Sequence, residues 1–454
     1  MPLFRGRRSP LHKRPSLPKL APPRPLDPRL FEVKEHVLAN GLRIRLLEDH
    51  SVPATTLYTF FRVGSRNERP GITGIAHLFE HMMFNGAAKY GPKEFDRLLE
   101  GNGGQSNAYT SNDVTAYFED FATEALELVL DLESDRMRSL AITPEMLESE
   151  REVVKEERRL HVDNETMGLL DEELFAISYA AHPYRWPVIG WMSDIESIQR
   201  EDCLEFFRTY YAPNNASLWL VGDFRSEQVL KLIERYYGDI PSGPPIPAFT
   251  LAESPQRGER RSEVHFPAQA HALAVGYKGT RACDPDTPVL DVLQYALSAG
   301  EGARLVRALE YDQVLAADVL VDFPWKIDPG LFVVLADLNP GVKPEKALAV
   351  IDRELQRIAE KGIGERELAR AKGLLRAHHL REMAPNSGRA HALGQHEVIV
   401  GDWRSAIELS SRYAAVTNAD VKRVARALFE PNRRSVVTLV PEKPASRRKG
   451  AARG

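Results

Sequence analysis

Two histidines separated by three residues, His77 and His81 in the segment GITGIAHLFEHMMFNG, carry the strongest chemical signal in the chain. Residues four apart lie on one face of a helix, about one turn from each other. That spacing brings two imidazoles to a single zinc ion, and Glu80 beside them then faces the open coordination position. The order H-x-x-E-H inverts the commoner H-E-x-x-H zinc signature. Histidines on an amphipathic helix are more often surface or core residues than ligands. Here, however, apolar Leu78, Phe79, Met82, Met83 and Phe84 surround the polar trio. The helix is therefore expected to be buried, and buried imidazoles and carboxylates need partners.

Two histidines leave zinc short of a ligand, because a catalytic site usually takes three from the protein plus a water. The patterning predicts a helix over Pro144–His161, with Thr143 as its cap and Pro144 in the first turn. It is crowded with acids: Glu145, Glu148, Glu150, Glu152, Glu156 and Glu157. Glutamates mixed with Arg and Lys at helical spacing are mostly a solvated face. Chemistry alone does not choose a ligand among them. A second polar stretch, Gly103-Gly104-Gln105-Ser106-Asn107-Ala108-Tyr109-Thr110, continues to Asp113, Thr115 and Tyr117. It reads as a Gly-rich turn leading into a polar edge strand.

The elements that must hold these residues come from a unit used twice. Residues 198–224, IQREDCLEFFRTYYAPNNASLWLVGDF, and 416–442, VTNADVKRVARALFEPNRRSVVTLVPE, match at an offset of 218, with Asp202 on Asp420, Tyr211 on Phe429, Pro213 on Pro431 and Asn214 on Asn432. Each reads as a helix, a Pro-Asn turn and an apolar strand, Ala216–Val221 and Ser435–Val440. The first half also has a strand at Leu57–Val63 before the His-rich helix, and the second a strand at Ala272–Tyr277 before a helix around Val289–Leu297. Phe121–Leu140 carries a strong helical pattern as well. Strands and helices mix without regular βαβ alternation, so the expected class is α+β: two domains of mixed sheet packed with helices, roughly 200 residues each. The expected division is a basic, Pro-rich arm over 1–28, a zinc-bearing domain over 29–240, a linker over 241–262, a second domain without zinc over 263–442, and a basic tail over 443–454.

Composition excludes several classes. With 43% hydrophobic and 27% charged residues the chain is globular, and it has no apolar run long enough to span a bilayer. A net charge of −4 gives no reason to expect nucleic acid as a partner. Cys203 and Cys283 stand far apart, which excludes a disulfide scaffold and a cysteine zinc site. Prolines interrupt any apolar signal core near the start, so the chain reads as cytoplasmic, or periplasmic if a signal has been removed.

HLFEH followed by ESEREVVKEERRL resembles the pitrilysin/insulinase family of zinc peptidases, which includes the mitochondrial processing peptidases. In that family a glutamate on a later helix, in an E-R-x-x-x-x-x-E pattern, completes the H-x-x-E-H pair. Here Glu150-Arg151 begins the pattern and Glu157 ends it, 76 residues beyond His81. The resemblance thus implies Zn2+ on His77, His81 and Glu157, Glu80 as general base, and Glu150 as the acid that orients a ligand or assists catalysis. It also implies a mitochondrial processing peptidase-like fold. The segment around Asn107, Ala108 and Tyr109 would be the edge strand that pairs with an extended peptide substrate, Asn107 binding a backbone group near the scissile bond.

One departure stands beside the match. Family members that work alone carry, in their other half, an Arg followed seven residues later by a Tyr. In the aligned stretch beginning Ala303-Arg304-Leu305, these positions hold Glu310 and Ala317. In the family that pair helps stabilise the oxyanion of the tetrahedral intermediate. The resemblance therefore implies a catalytic subunit whose heterodimeric partner lacks the zinc ligands but supplies Arg and Tyr. A homodimeric peptidase and a catalytically weak zinc-binding assembly subunit are the alternatives.

Overall fold

The computed structural model describes residues 26–27 and 31–442, so nearly all of both basic ends lies outside the described residues. In the first half, β1 (Lys34–Val37), β2 (Arg43–Glu48), β3 (Ala54–Phe61), β4 (Gln105–Thr110), β5 (Thr115–Ala122) and β6 (Ala216–Gly222) form one sheet in the order β1-β2-β6-β3-β5-β4. In the second, β7 (Arg260–Phe266), β8 (Ala272–Lys278), β9 (Ala316–Asp322), β10 (Leu331–Leu338) and β11 (Arg434–Pro441) are ordered β7-β11-β8-β10-β9. With β1 set aside, the two orders match strand for strand. Both keep one parallel pair, β2 with β6 and β7 with β11, among antiparallel ones. The class is α+β, as the residue patterns imply.

The 218-residue offset is structural. Helix Arg200–Tyr210 maps onto Asn418–Leu428, and β3 and β8 begin at Ala54 and Ala272. The matched aspartates do the same work: Asp202 accepts the Gln199 N–H at 3.0 Å and Asp420 the Thr417 N–H at 2.9 Å, each closing a capping box.

Five helices of the first half matter for the site: α1 (Ile75–Met82), α2 (Glu94–Gly101), α3 (Leu126–Ser139), α4 (Pro144–Arg158) and α5 (Thr166–Ser178). The helix expected over Phe121–Leu140 starts later. Phe121 lies in β5, opposite Thr55 of β3, and three residues of 3₁₀ helix precede α3. Phe121 is buried as a strand residue, and an apolar side chain at a strand–helix junction fits both periodicities. Likewise α4 ends at Arg158, and Arg159–Asp163 continues as a π turn rather than reaching His161 as α-helix. Strand β7 starts at Arg260, inside the stretch expected as linker, while residues 241–259 carry no helix or strand.

The halves exchange helices, which nothing in the residue pattern announces. One face of the first sheet packs α1 and α3 around Leu57 and Phe61; the other face, through Tyr58, Phe60 and Trp219, packs Ala390 and Leu393 of the second half's helix Asn386–Gln395. In return, Leu170 and Leu174 of α5 cover Ala272, Ala274, Val333 and Val437 of the second sheet. Each sheet is thus buried on two faces, the condition under which central strands such as β3 lose their polar alternation. No helix among the described residues is long and apolar enough to cross a membrane.

Candidate metal centre

Helix α1 carries His77, Glu80 and His81 into the space between β4 and α4. Ile75, Ala76, Leu78, Phe79 and Met82 are buried, as the apolar pattern around the motif requires. The N-terminus of α1 is held by Glu68, a buried residue whose Oε2 and Oε1 accept the Gly74 and Ala76 N–H groups, each at 2.9 Å. These are among the donors a helix start leaves without partners. The Tyr117 hydroxyl of β5 donates to the Phe79 carbonyl at 3.1 Å, tying the middle of α1 to the sheet.

Helix α4 begins with the predicted cap: the Thr143 side chain accepts the Met146 N–H at 3.2 Å, with Pro144 in the first turn. Glu150 and Glu157, two turns apart, reach the same place. His77 Nε2 lies 3.7 Å from Glu157 Oε1, and His81 Nε2 lies 3.2 Å from Glu157 Oε2. The two imidazole centroids are 4.9 Å apart. One ligand atom from each of His77, His81 and Glu157 lies within 4.8 Å of the others, the one such group among the described residues. Glu150 Oε2 faces the other ring nitrogen of His81, Nδ1, at 3.6 Å. The remaining acids singled out on this helix do not join the cluster.

The electrostatics follow from burial and pairing. Burial drives the His77 imidazole down to about 4, so it is neutral and ready to donate a lone pair; its Nδ1 is buried without a hydrogen-bond partner. Burial also works against a charge on His81, but Glu150 and Glu157 outweigh it and hold that imidazole up at about 9. Contact with His81 in turn lowers Glu157 and Glu150 below the ordinary carboxyl range. Burial raises Glu80, opposed by Thr110 and His81. Two imidazoles and a carboxylate of depressed pKa, with the half-buried Glu80 carboxylate beside them, form a donor set that suits zinc.

Strand β4 is the edge of its sheet, paired only with β5. Asn107 is exposed, and its Oδ1 accepts the Ala108 N–H at 2.8 Å. Ala108 packs against the core under α1, whereas Tyr109 turns its ring toward the second half, edge-on to His391 with centroids 5.6 Å apart. The Tyr109 side chain therefore packs at the seam between halves instead of lying along the open edge of the strand. Thr110, which ends β4 beside Glu80, was read in the sequence only as part of the polar stretch, and Glu68 was not singled out at all. A glutamate nine residues before His77 looks like any loop acid until the helix it caps is known.

Comparison with known proteins identifies the family. The model described as Insulinase (Peptidase family M16) matches residues 43–190, and that described as Peptidase M16 inactive domain matches residues 197–375. A protein of Helicobacter pylori named zinc protease PqqE is 30% identical over 408 residues, covering 89% of this chain and 92% of its own. The chain belongs to peptidase family M16. The inactive-domain match starts within the last part of the first half, beyond the H-x-x-E-H motif, and runs through much of the second half, which has no such motif. A crystal structure of a protease from Helicobacter pylori superposes with a TM-score of 0.88 at 29% identity, covering 91% of this chain and 100% of that one. A protein of Arabidopsis thaliana named "Probable mitochondrial-processing peptidase subunit beta, mitochondrial" is 24% identical over 405 residues, covering 87% of this chain and 76% of its own.

Proposed function

We propose that this chain is a zinc-dependent endopeptidase that cleaves peptides or unfolded segments. The observation that carries the proposal is the convergence of His77, His81 and Glu157 from two helices on one point, with Glu80 beside them. His77 and His81 would hold the metal through Nε2 and Glu157 through its carboxylate; Glu150 fixes the orientation of the His81 ring through Nδ1. When bound, zinc polarises a carbonyl and acidifies water. Glu80 accepts the attacking water's proton and returns it to the leaving amine. Its partial burial raises the carboxyl pKa, so that proton is held more tightly than on a solvated glutamate.

The substrate pairs as a strand on β4. A peptide carbonyl there takes the Ala108 N–H, which releases the Asn107 carboxamide to bind a neighbouring backbone group. Tyr109 forms part of the wall behind the strand. The division into two domains belongs to the same proposal, the first over 29–240 with the metal and the second, without one, beginning with β7 at Arg260 rather than at 263.

Glu310, on the π turn Arg307–Asp312, and Ala317, on β9, stand where the resemblance expects Arg and Tyr. This supports a catalytic subunit that pairs with a related chain carrying those two side chains; a relative named as a beta subunit supports the same reading. Chelation tests the metal. Hydrolysis should vanish on zinc removal and return with one zinc per chain, and activity that survives a metal-free preparation would refute the proposal.

A further inference from the structure

Glu157 is followed directly by Arg158, which α4 turns away from the candidate metal centre and into the protein. Its side chain is 6% exposed. Nη1 donates to Glu172 Oε2 and to the Gly190 carbonyl, both at 2.7 Å, and Nη2 donates to Glu172 Oε1 at 3.1 Å. Asp163, at the end of the π turn, adds a contact at 3.2 Å. The guanidinium is thus locked in a forked pair while one of its donors grips a backbone carbonyl.

Gly190 is no ordinary acceptor, because its backbone rests on Gly74, the residue that caps α1. A Cβ at Gly190 would lie 2.3 Å from the Thr73 carbonyl oxygen and 2.5 Å from the Gly74 Cα; one at Gly74 would lie 2.4 Å from the Ile189 carbonyl oxygen. Both glycines have positive φ, 84° and 90°, so no other residue fits either position without displacing backbone. The neighbouring chain adds staples: the Trp191 N–H donates to Thr73 Oγ1 at 3.0 Å, and Asp194 Oδ2 accepts from Gly71 N at 3.0 Å and Thr73 Oγ1 at 2.8 Å. A continuous path of contacts therefore joins Glu157 to His77: Arg158, the Gly190 carbonyl, Gly74, and the first turn of α1.

We propose that Arg158 is a positioning residue for the metal centre, fixing the spacing between α4 and α1 through Gly190. The proposal rests on the reading that His77, His81 and Glu157 bind zinc. Metal ligation tolerates only a few tenths of an ångström, whereas one residue of helix advances about 1.5 Å, so a small slip of α4 along α1 would take Glu157 out of reach. A lysine at this position keeps the charge but cannot hold Glu172 in a fork and grip the Gly190 carbonyl together.

The test compares zinc affinity by chelator competition, the absorption spectrum of the cobalt(II)-loaded protein, and the Tm of the metal-free protein. The proteins are the full chain, Arg158→Lys, Glu172→Gln, and Leu355→Ala, a buried second-half substitution that serves as a destabilised control. Arg158→Lys is expected to weaken zinc binding about 10- to 100-fold and to alter the cobalt spectrum, and Glu172→Gln to do so less. Leu355→Ala should lower Tm with no change in metal affinity. If Arg158→Lys does not fold, Glu172→Gln carries the comparison. A folded variant with zinc affinity within about twofold of the parent and the parent's cobalt spectrum overturns the proposal. A parent chain that binds no zinc overturns the site reading and this proposal together.

Discussion

At the scale of single residues, the two halves use acids for different ends, half-buried in the first and fully buried in the second. Glu157 and Glu150 are held ionised by the imidazoles they face. Asp291, in the second half, faces Trp325 Nε1 at 3.0 Å and the Tyr413 hydroxyl at 2.9 Å, and burial pushes its pKa up to about 7 against those donors. The folded protein therefore keeps this proton well above pH 3.8, where the unfolded chain releases it. Between those values the native state binds more protons than the unfolded state, so its stability must fall as pH rises toward 7. Asp291→Asn removes that slope while keeping an acceptor. Thermal unfolding between about pH 4 and pH 7 checks it: the parent's Tm should decline over that range more steeply than the variant's, through a difference of order 4 kcal/mol. Equal slopes would show that Asp291 is ionised when folded.

At the scale of elements, α1 is a short helix whose position is imposed from outside. Eight residues are too few to be stable alone, so its place depends on Glu68 at the N-terminus, Tyr117 at its middle and the Gly74–Gly190 contact. Glu68→Ala strands two buried N–H groups, which should cost about 1–3 kcal/mol and lower Tm in chemical and thermal unfolding. A substitution without effect on stability would mean that water replaces the carboxylate. The motif on α1 was legible because its chemistry is local: four-residue spacing and apolar neighbours define a buried ligand face. The capping of α4 by Thr143 was equally local. Glu68 and Arg158 were not legible, because their partners lie across turns or many residues away and their types are common on any surface. The choice of Glu157 among six acids also needed more than periodicity; α4 buries only part of its circumference, and which part depends on where α1 lies. Phe121 misled for a related reason: an apolar residue where β5 passes into α3 satisfies both patterns, and pairing with β3 decides.

At the scale of the molecule, the duplication visible at the 218-residue offset foretold two sheets of the same topology, and the strand orders agree with it. The exchange of α5 and the helix Asn386–Gln395 between sheets was hidden, since a helix with a single apolar face does not declare which sheet it covers. The exchange makes the halves interdependent, and buried polar links reinforce it. Arg45 of β2 donates to Glu397 at 2.8 Å, while Ser217 and Trp219 of β6 donate to the other Glu397 oxygen at 2.9 and 2.8 Å. The Lys326 ammonium reaches Asn112 just beyond β4. What this arrangement does not contain is an Arg–Tyr pair at positions 310 and 317. The isolated chain should hydrolyse peptides weakly, and mixing with a related chain that carries the pair should raise the rate by about 10²–10³-fold, the contribution of one oxyanion donor. Co-elution and a peptidase assay measure both; full activity from the chain alone would leave a homodimer or monomer as the working enzyme.

The central claim is that Glu80, set beside a zinc held by His77, His81 and Glu157, performs proton transfer in peptide hydrolysis. Glu80→Gln, assayed for zinc content and for hydrolysis in the most active assembly of the chain, tests it most directly. The variant should hold one zinc per chain, as the parent does, with its rate reduced by about 10²–10⁴-fold. A zinc-loaded Glu80→Gln variant that hydrolyses peptides at the parent's rate would contradict it.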